Sequence, residues 1–541
     1  MTKAGKPWRW FSLVIIVLVL DLSSGCSPTE DTLPQPTPDD TDALAQAAGP
    51  SVGLNKFDLF PQYLGHASGG RNSGYQVESY QRVTQAMAKK AIVDAHNIGV
   101  TYLRVSATGY YPIAFDQPWR SDLKLWEDNP AEYWALFDQM MNDLYSNEMR
   151  IVPVFMWNWT QFPAMTGENA SQMITDPNSD SYQLLEEYIT EFVERYKDHP
   201  ALYFYELTNE LNLRADLDMV GRCSDGKSPP PPSCEPMGNF TTDQMIAFTS
   251  QLADYVRSLD PNHLISSGFS IPRPAAEHLQ RTPEFSPDGP DWTRDSLAEF
   301  KKNLSDVHSG MDIVSVHFYN KEGYNTRLGI TGHTNADLLR IIKQTTDELD
   351  KKLFVGEFGD QNPYIESDKR ALFTQNVLDK IVELKIPYSA PWVWEYYQRT
   401  PYSQDRYSLE PGRTDLIISK IKEANAKLGN RIPSPQPRDT TAPRVVVTWP
   451  LEGRLSCNQL VYAVASDDSG TVSEVRFLVN DNFRTIVSIP PYRRKLDTAR
   501  LGLFREQRII ARAYDRSGNV GEYTVSVKPN LCFQERLSEL L

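Results

Sequence analysis

Cysteine is scarce in this chain, with five among 541 residues. None stands at the close Cys/His spacing of a metal site, so neither zinc nor any other metal or cofactor is expected. Basic charge is also in deficit, with 55 Lys and Arg against 70 Asp and Glu and a net charge of −15. That balance excludes proteins that track nucleic acid or grip anionic lipid through clustered cations. The apolar run at residues 11–20 is too short to span a bilayer comfortably. No Gly-rich dinucleotide fingerprint follows the first apolar run of the main body, which argues against an open doubly wound sheet.

What is present begins with an address. Lys3, Lys6 and Arg9 precede the apolar run at 11–20, the layout of an export signal. The following Leu22-Ser23-Ser24-Gly25-Cys26 resembles a bacterial lipobox, in which the cysteine receives lipid and becomes the mature N-terminus. It departs from that box in having Ser23 where leucine is usual, and plain signal cleavage is the competing reading. Residues 1–26 are thus read as signal and anchor, giving an exported envelope lipoprotein or secreted protein that meets the membrane only through lipid on Cys26. The other four cysteines form two sets, Cys223 with Cys234 in one loop and Cys457 with Cys532 at the ends of the last module. An exported chain can keep both as disulfides.

Residues 27–51 are rich in Pro, Thr, Asp and Ala and read as a flexible tether. A second break, at 429–442, carries Gly429, Pro433, Pro435 and Pro437. Between them, residues 52–428 hold eight apolar runs, near 54–60, 100–107, 150–157, 201–209, 263–270, 311–319, 352–358 and 387–396. Amphipathic helical periods follow most of them, at 80–96, 131–144, 182–196, 242–259, 336–349 and 369–384. Repeated β-then-α units with runs apolar on both faces predict a parallel sheet covered by helices, closed as an α/β (β/α)8 TIM barrel. Residues 443–535 differ. Their short β-rich runs, separated by turn residues, predict a small all-β immunoglobulin-like sandwich. Ala513-Tyr514-Asp515-Arg516-Ser517-Gly518-Asn519 resembles the strand-and-turn signature of immunoglobulin-like modules on secreted bacterial enzymes. A passive spacer is the expected role.

Functional residues of such a barrel sit where strands end. The fourth run closes on Leu207-Thr208-Asn209-Glu210 and the seventh on Val355-Gly356-Glu357. Strands four and seven face each other across a barrel mouth. Two glutamates there can flank a sugar ring, one protonating the leaving oxygen and the other attacking, at about 5 Å separation when configuration is retained. A lone glutamate at a strand end is more often solvated or salt-bridged.

The ordered set of Arg104, Asn209-Glu210, His317-x-Tyr319, Glu357 and a Trp at the eighth strand resembles glycoside hydrolase family 5, whose retaining barrels include cellulases and mannanases. The resemblance spans roughly residues 52–427. It implies that Glu357 is the nucleophile, kept ionised by Arg104 and the Tyr319 hydroxyl. It also implies that Glu210 is the acid/base, with His317 beside it and Asn209 donating to the sugar 2-hydroxyl. Where the family commonly has a histidine near the end of the third strand, this run reads Val154-Phe155-Met156-Trp157-Asn158-Trp159, so that substrate contact is missing or replaced and the sugar of the first glycone subsite is not fixed by the resemblance.

Aromatic rings suit the C–H faces of sugars. Candidates are Trp157 and Trp159, Tyr110 and Tyr111, and Trp392, Trp394, Tyr396 and Tyr397. Trp394 is preferred over Trp392 as lying nearer the strand's C-terminal end. Glu206 is expected to point into the barrel as a structural residue, Glu395 to cap the eighth strand, and His308 and His333 to lie at the surface. The loop carrying Cys223 and Cys234 is expected to shape a leaving-group subsite. The resulting expectation is a monomeric retaining β-glycosidase acting on a β-1,4-glucan or mannan. A surface glycan-binding lipoprotein without turnover is the rival from another class, and a purely structural envelope lipoprotein is the third reading.

Overall fold

A computed structural model describes residues 49–65, 78–108, 123–224, 238–319, 338–360, 372–396, 407–433, 440–450, 453–455, 460–467, 472–487, 492–495, 505–515 and 519–529. Among them, no helix is long and apolar enough to cross a membrane.

Among the described residues, eight parallel strands make the larger body. β1 is formed by Ser51–Val52 and Leu54–Asn55, interrupted at Gly53; β2 is Tyr102–Ser106, β3 Arg150–Met156, β4 Tyr205–Thr208, β5 Ile265–Ser266, β6 Ile313–Tyr319, β7 Lys352–Gly359 and β8 Tyr388–Ser389. Neighbours pair in sequence order, and β1 pairs with both β2 and β8, which closes the sheet. Gly53 makes the closure possible: a Cβ there would lie 2.3 Å from the ring of Tyr102. The Tyr102 hydroxyl in turn donates to the Ser389 carbonyl at 2.7 Å, locking β2 to β8 across the first strand. All eight apolar runs contain a strand. The first run is strand only at Leu54–Asn55, and its end enters a short helix over residues 59–63.

The main helices are α1 (Glu78–Asn97), α2 (Pro130–Ser146), α3 (Asp180–Tyr196), α4 (Thr242–Leu259), α5 (Leu297–Asp306), α6 (Leu338–Glu348), α7 (Leu372–Leu384) and α8 (Asp415–Lys427). Their starts follow local chemistry. Thr241 and Ser296 cap α4 and α5 in reciprocal boxes with Gln244 and Glu299. Inside the barrel, Tyr102, Val152, Phe204, Ile313, Phe354 and Tyr388 fill the N-terminal end, with the Phe204 ring 4.9 Å from Tyr388 and 5.4 Å from Phe354. This apolar plug leaves polar chemistry only the C-terminal mouth.

The C-terminal module is a two-sheet β-sandwich. One sheet orders Arg444–Trp449, Leu460–Ser466 and Tyr492–Lys495; the other orders Gly453–Leu455, Val520–Pro529, Gln507–Asp515, Val472–Val479 and Asn482–Val487. Asn480 and Asp481, both left-handed at φ 50° and 64°, make the two-residue turn that a tight hairpin favours. Alternate residues such as Val447, Val461, Val475, Phe477, Ile509 and Val525 form its core.

Candidate active site

The first of the two strand-end glutamates is aimed by a break in strand geometry. After β4 the chain turns left-handed at Glu210, φ 52° and ψ 29°. The turn is held by the Glu210 amide donating to the Gly268 carbonyl at 2.8 Å and by the Thr208 hydroxyl donating to the Ser267 carbonyl at 2.7 Å. Gly268 must be glycine, since φ is 75° and a Cβ would come within 1.7 Å of the Thr208 carbonyl oxygen. The result is a carboxylate lifted over the mouth and about one-third exposed.

Glu357 is aimed by a bulge. Val316 pairs with Val355, but His317 pairs with Glu357, so Gly356 is an extra residue on β7. Phe354 faces the inner plug and Val355 the helix layer. Were the strand regular, with Gly356 taking an ordinary ladder position, alternation would send Glu357 outward with Val355. Gly356 also clears the His317 ring, whose Nε2 would stand 3.0 Å from a Cβ.

These two devices bring the expected residues together. Oxygens of Glu210 and Glu357 and a ring nitrogen of His317 lie within 4.8 Å of one another. Glu357 accepts from Arg104 Nη1 at 2.7 Å and from the Tyr319 hydroxyl at 2.7 Å. His317 Nδ1 lies 3.0 Å from Glu210 and 3.5 Å from Glu357, and serves as the donor to these carboxylates when both are ionised. Arg104, fully buried, also donates to Glu206 at 2.6 Å, Asn55 at 3.0 Å and Asn209 at 2.9 Å, and stands over the Trp157 ring at 4.8 Å. One guanidinium therefore sets the position of the second glutamate, the candidate 2-hydroxyl donor and an aromatic ring. Glu206, buried with Ser266 and Arg104 as partners, has the structural place expected of it.

Electrostatics divide along the same lines. Burial pushes the Glu357 carboxyl up from its ordinary value; His317 and Arg104 pull it back, Glu210 pushes it further up, and the Tyr319 hydrogen bond pulls it down. Burial beside Glu357 drives the Tyr319 phenol well above its ordinary range, which keeps it a protonated donor. The Glu210, His317 and Glu357 atoms have the proximity of a cation site, and so do His278, Asp295 and Glu299. Beside the first trio, Arg104 puts a permanent positive charge 2.7 Å from Glu357.

The aromatic wall differs from expectation at one place. Trp157 stacks near-parallel with Phe57 at 5.2 Å and with Trp392 at 5.9 Å, next to Arg104. Trp394 is not there. Its side chain is fully buried in the core between strands and helices, with the indole N–H donating to the Ala91 carbonyl of α1 at 2.9 Å. Nearness to the strand's C-terminal end failed as a guide because β8 already ends at Ser389, and beyond it the Trp394 amide bonds to Asn55. Trp159 likewise packs in the core, edge-on to Phe240.

Two further expectations are corrected. His308 is fully buried, because its ring nitrogen donates back to the Leu304 carbonyl at the end of α5 and packs on Phe269. Glu395 does more than cap β8: it is buried against Lys90 at 2.9 Å, and burial lifts its carboxyl to about 7 against the pull of that lysine. Tyr110, Tyr111, Tyr397, His333, Cys26, Cys234, Cys457 and Cys532 lie outside the described residues, as does the side chain of Cys223. Sequence reasoning missed Asn55. Its amide donates to the carbonyls of Gly356 at 2.7 Å and Ala390 at 2.8 Å, tying β1, β7 and β8 together beneath Glu357.

No family model matches the chain. Among curated proteins it is 27% identical over 139 residues to a probable mannan endo-1,4-beta-mannosidase C of Aspergillus terreus, a match covering 24% of this chain and 31% of that one. It is 23% identical over 301 residues to mannan endo-1,4-beta-mannosidase 8 of Oryza sativa, covering 51% and 71%. The chain spans about a third of the length of the first curated relatives it matches, 31% and 32%. A solved endo-beta-1,4-mannanase from Thermotoga petrophila aligns with a TM-score of 0.44 at 14% identity, over 90% of this chain and 99% of that one.

Proposed function

We propose that the chain is a retaining β-glycosidase that cleaves a β-1,4-linked mannan or glucan, with mannan preferred, by double displacement. The observation that carries this reading is the opposed pair of Glu210 and Glu357, their oxygens within 4.8 Å, each with a different set of partners. Carboxyl groups about 5 Å apart suit attack by one of them on the sugar, whereas a wider gap leaves room for water.

In the first step Glu357 attacks the anomeric carbon, and Glu210 gives its proton to the departing oxygen. In the second, Glu210 takes a proton from water, which displaces Glu357 from the sugar. Arg104 and Tyr319 hold the attacking oxygens in line, and His317 orients Glu210. Asn209, held by Arg104, is placed to donate to the 2-hydroxyl. Trp157 and Trp392 offer the apolar surface for a sugar face. The preference for mannan is supported by the curated relatives, which bear mannan endo-1,4-beta-mannosidase names. The same reading places the protein outside the cell as a monomer anchored by lipid on Cys26, with the Cys223–Cys234 loop bordering a leaving-group subsite; mass spectrometry of the mature N-terminus and of the unreduced peptides tests both features.

The deciding experiment measures reducing-end release from mannans, β-glucans and xylans by wild type, Glu210→Ala and Glu357→Ala. The expected result is turnover on a β-1,4-mannan, lost in both variants and restored to Glu357→Ala by azide. Binding of glycan by all three proteins with turnover by none sinks the proposal.

A further inference from the structure

Helix α1 touches both modules along a single stripe. Val83, Met87, Lys90 and Asp94 are spaced by four, three and four residues and therefore share one face. At the N-terminal half of that face, Val83 and Met87 are buried against Val446 and Val464 of the sandwich, with Tyr523 alongside, and the Ser466 hydroxyl donates to the Val83 carbonyl at 3.3 Å. Val446 and Val464 point away from the sandwich's own core, so their burial comes from this contact.

The C-terminal half of the stripe holds the wall of the candidate active site. Lys90 reaches Glu395 at 2.9 Å and is also bonded to Asp94, and one residue on, the Ala91 carbonyl accepts from the Trp394 indole. Lys56 adds a bond to the Glu395 carbonyl at 3.0 Å. Glu395 itself is left-handed, φ 43°, a conformation that a non-glycine residue keeps only where its surroundings impose it. Three residues before it stands Trp392, stacked on Phe57 at 5.0 Å. Since β8 stops at Ser389, residues 392–396 have no regular ladder to hold them. Side-chain ties to Lys56, Phe57 and α1 and the backbone bonds to Asn55 and Leu409 do so instead.

We propose that the β-sandwich braces the catalytic mouth through α1, and that Lys90 and Glu395 are positioning residues that fix the ring of Trp392 for substrate. The expected spacer is thereby a working part of the site. This inference rests on the glycosidase reading for its kinetic consequence and on the structure alone for its mechanical one.

The test uses the full chain with Glu395→Gln, Lys90→Met, Lys90→Arg and the double variant Val446→Ser/Val464→Ser. Kinetics on a manno-oligosaccharide are measured well below each melting temperature, together with hydrogen exchange of peptides covering 392–396. Expected are a rise in KM of about tenfold with kcat within about twofold for Glu395→Gln, Lys90→Met and the double variant, recovery in Lys90→Arg, and faster exchange at 392–396 wherever KM rises. A folded double variant whose KM and exchange both match wild type overturns the brace. If wild type turns over no glycan, the glycosidase reading fails and exchange alone decides: faster exchange in the double variant upholds the brace, and unchanged exchange ends it. Should Glu395→Gln not fold, the double variant and Lys90→Met, set against Lys90→Arg, still separate a working brace from a passive contact by the same two readouts.

Discussion

The side-chain amide of Asn55 donates to the carbonyl of Gly356 at 2.7 Å, so the bulge that turns Glu357 inward is held from the first strand of the barrel. The Asn55 oxygen accepts from Arg104, which makes the same residue a support for the charge that faces Glu357. Asn55→Ala leaves buried partners on both sides unmatched, at a cost of about 1–3 kcal/mol. The expected outcome is a lower melting temperature and a kcat that falls more than KM changes, checked by thermal unfolding and steady-state kinetics.

Arg104→Lys replaces a planar fork by a point charge. An ammonium cannot serve Glu206, Asn55, Asn209 and Glu357 at once from one position. Activity on mannan is expected to fall about a hundredfold in kcat/KM, equivalent to about 2.7 kcal/mol of transition-state stabilisation. A lysine variant within twofold of wild type refutes the role given to Arg104.

The pH profile follows from Glu357. Its carboxyl lies above the ordinary 4.5 because burial outweighs the pull of His317 and Arg104. In the proposed mechanism Glu357 attacks as the anion, so kcat/KM is expected to be lost as pH falls through that raised value, with the acid limb above pH 4.5. Arg104→Met removes one of the lowering charges and is expected to move the acid limb of its residual activity further up. A limb below 4.5 in wild type contradicts the assignment.

His308 gives a stability window away from the site. Burial holds its ring down at about 4, so it is neutral in the folded protein while the unfolded chain takes up a proton near 6.5. Stability from this residue is complete above pH 6.5 and lost as pH falls through 4, about 3 kcal/mol in all. Denaturant unfolding of wild type and His308→Gln from neutral pH down to about 4 is expected to show that difference narrowing as pH falls.

Trp157 and Trp394 should separate by what they damage. Trp394→Ala empties a core position and is expected to cost about 3–5 kcal/mol of stability. Trp157→Ala is expected to raise KM for oligosaccharides by about tenfold with a smaller stability loss. Equal effects on KM would return Trp394 to the wall.

The barrel was legible because apolar runs recur wherever a strand is covered on both faces, and the mouth glutamates because each ends such a run. Asn55 was not legible, since its partners are backbone carbonyls 301 and 335 residues away, which no local pattern records. Trp394 was misplaced because the end of an apolar run need not be the end of a strand: the run continues to residue 396, whereas β8 is two residues long and stops at Ser389. His308 hid for a similar reason: a polar ring at a helix end looks solvated until its own helix supplies the acceptor.

Ser51–Asn55 fill the seam between β2 and β8, and that fixes an order of events during biogenesis. The first strand to be synthesised cannot find its second neighbour until residue 389 has been made, so every earlier intermediate carries an unpaired strand edge. A chain that leaves the ribosome slowly must keep that edge from other chains for most of its synthesis, and the last β/α units decide when the danger ends.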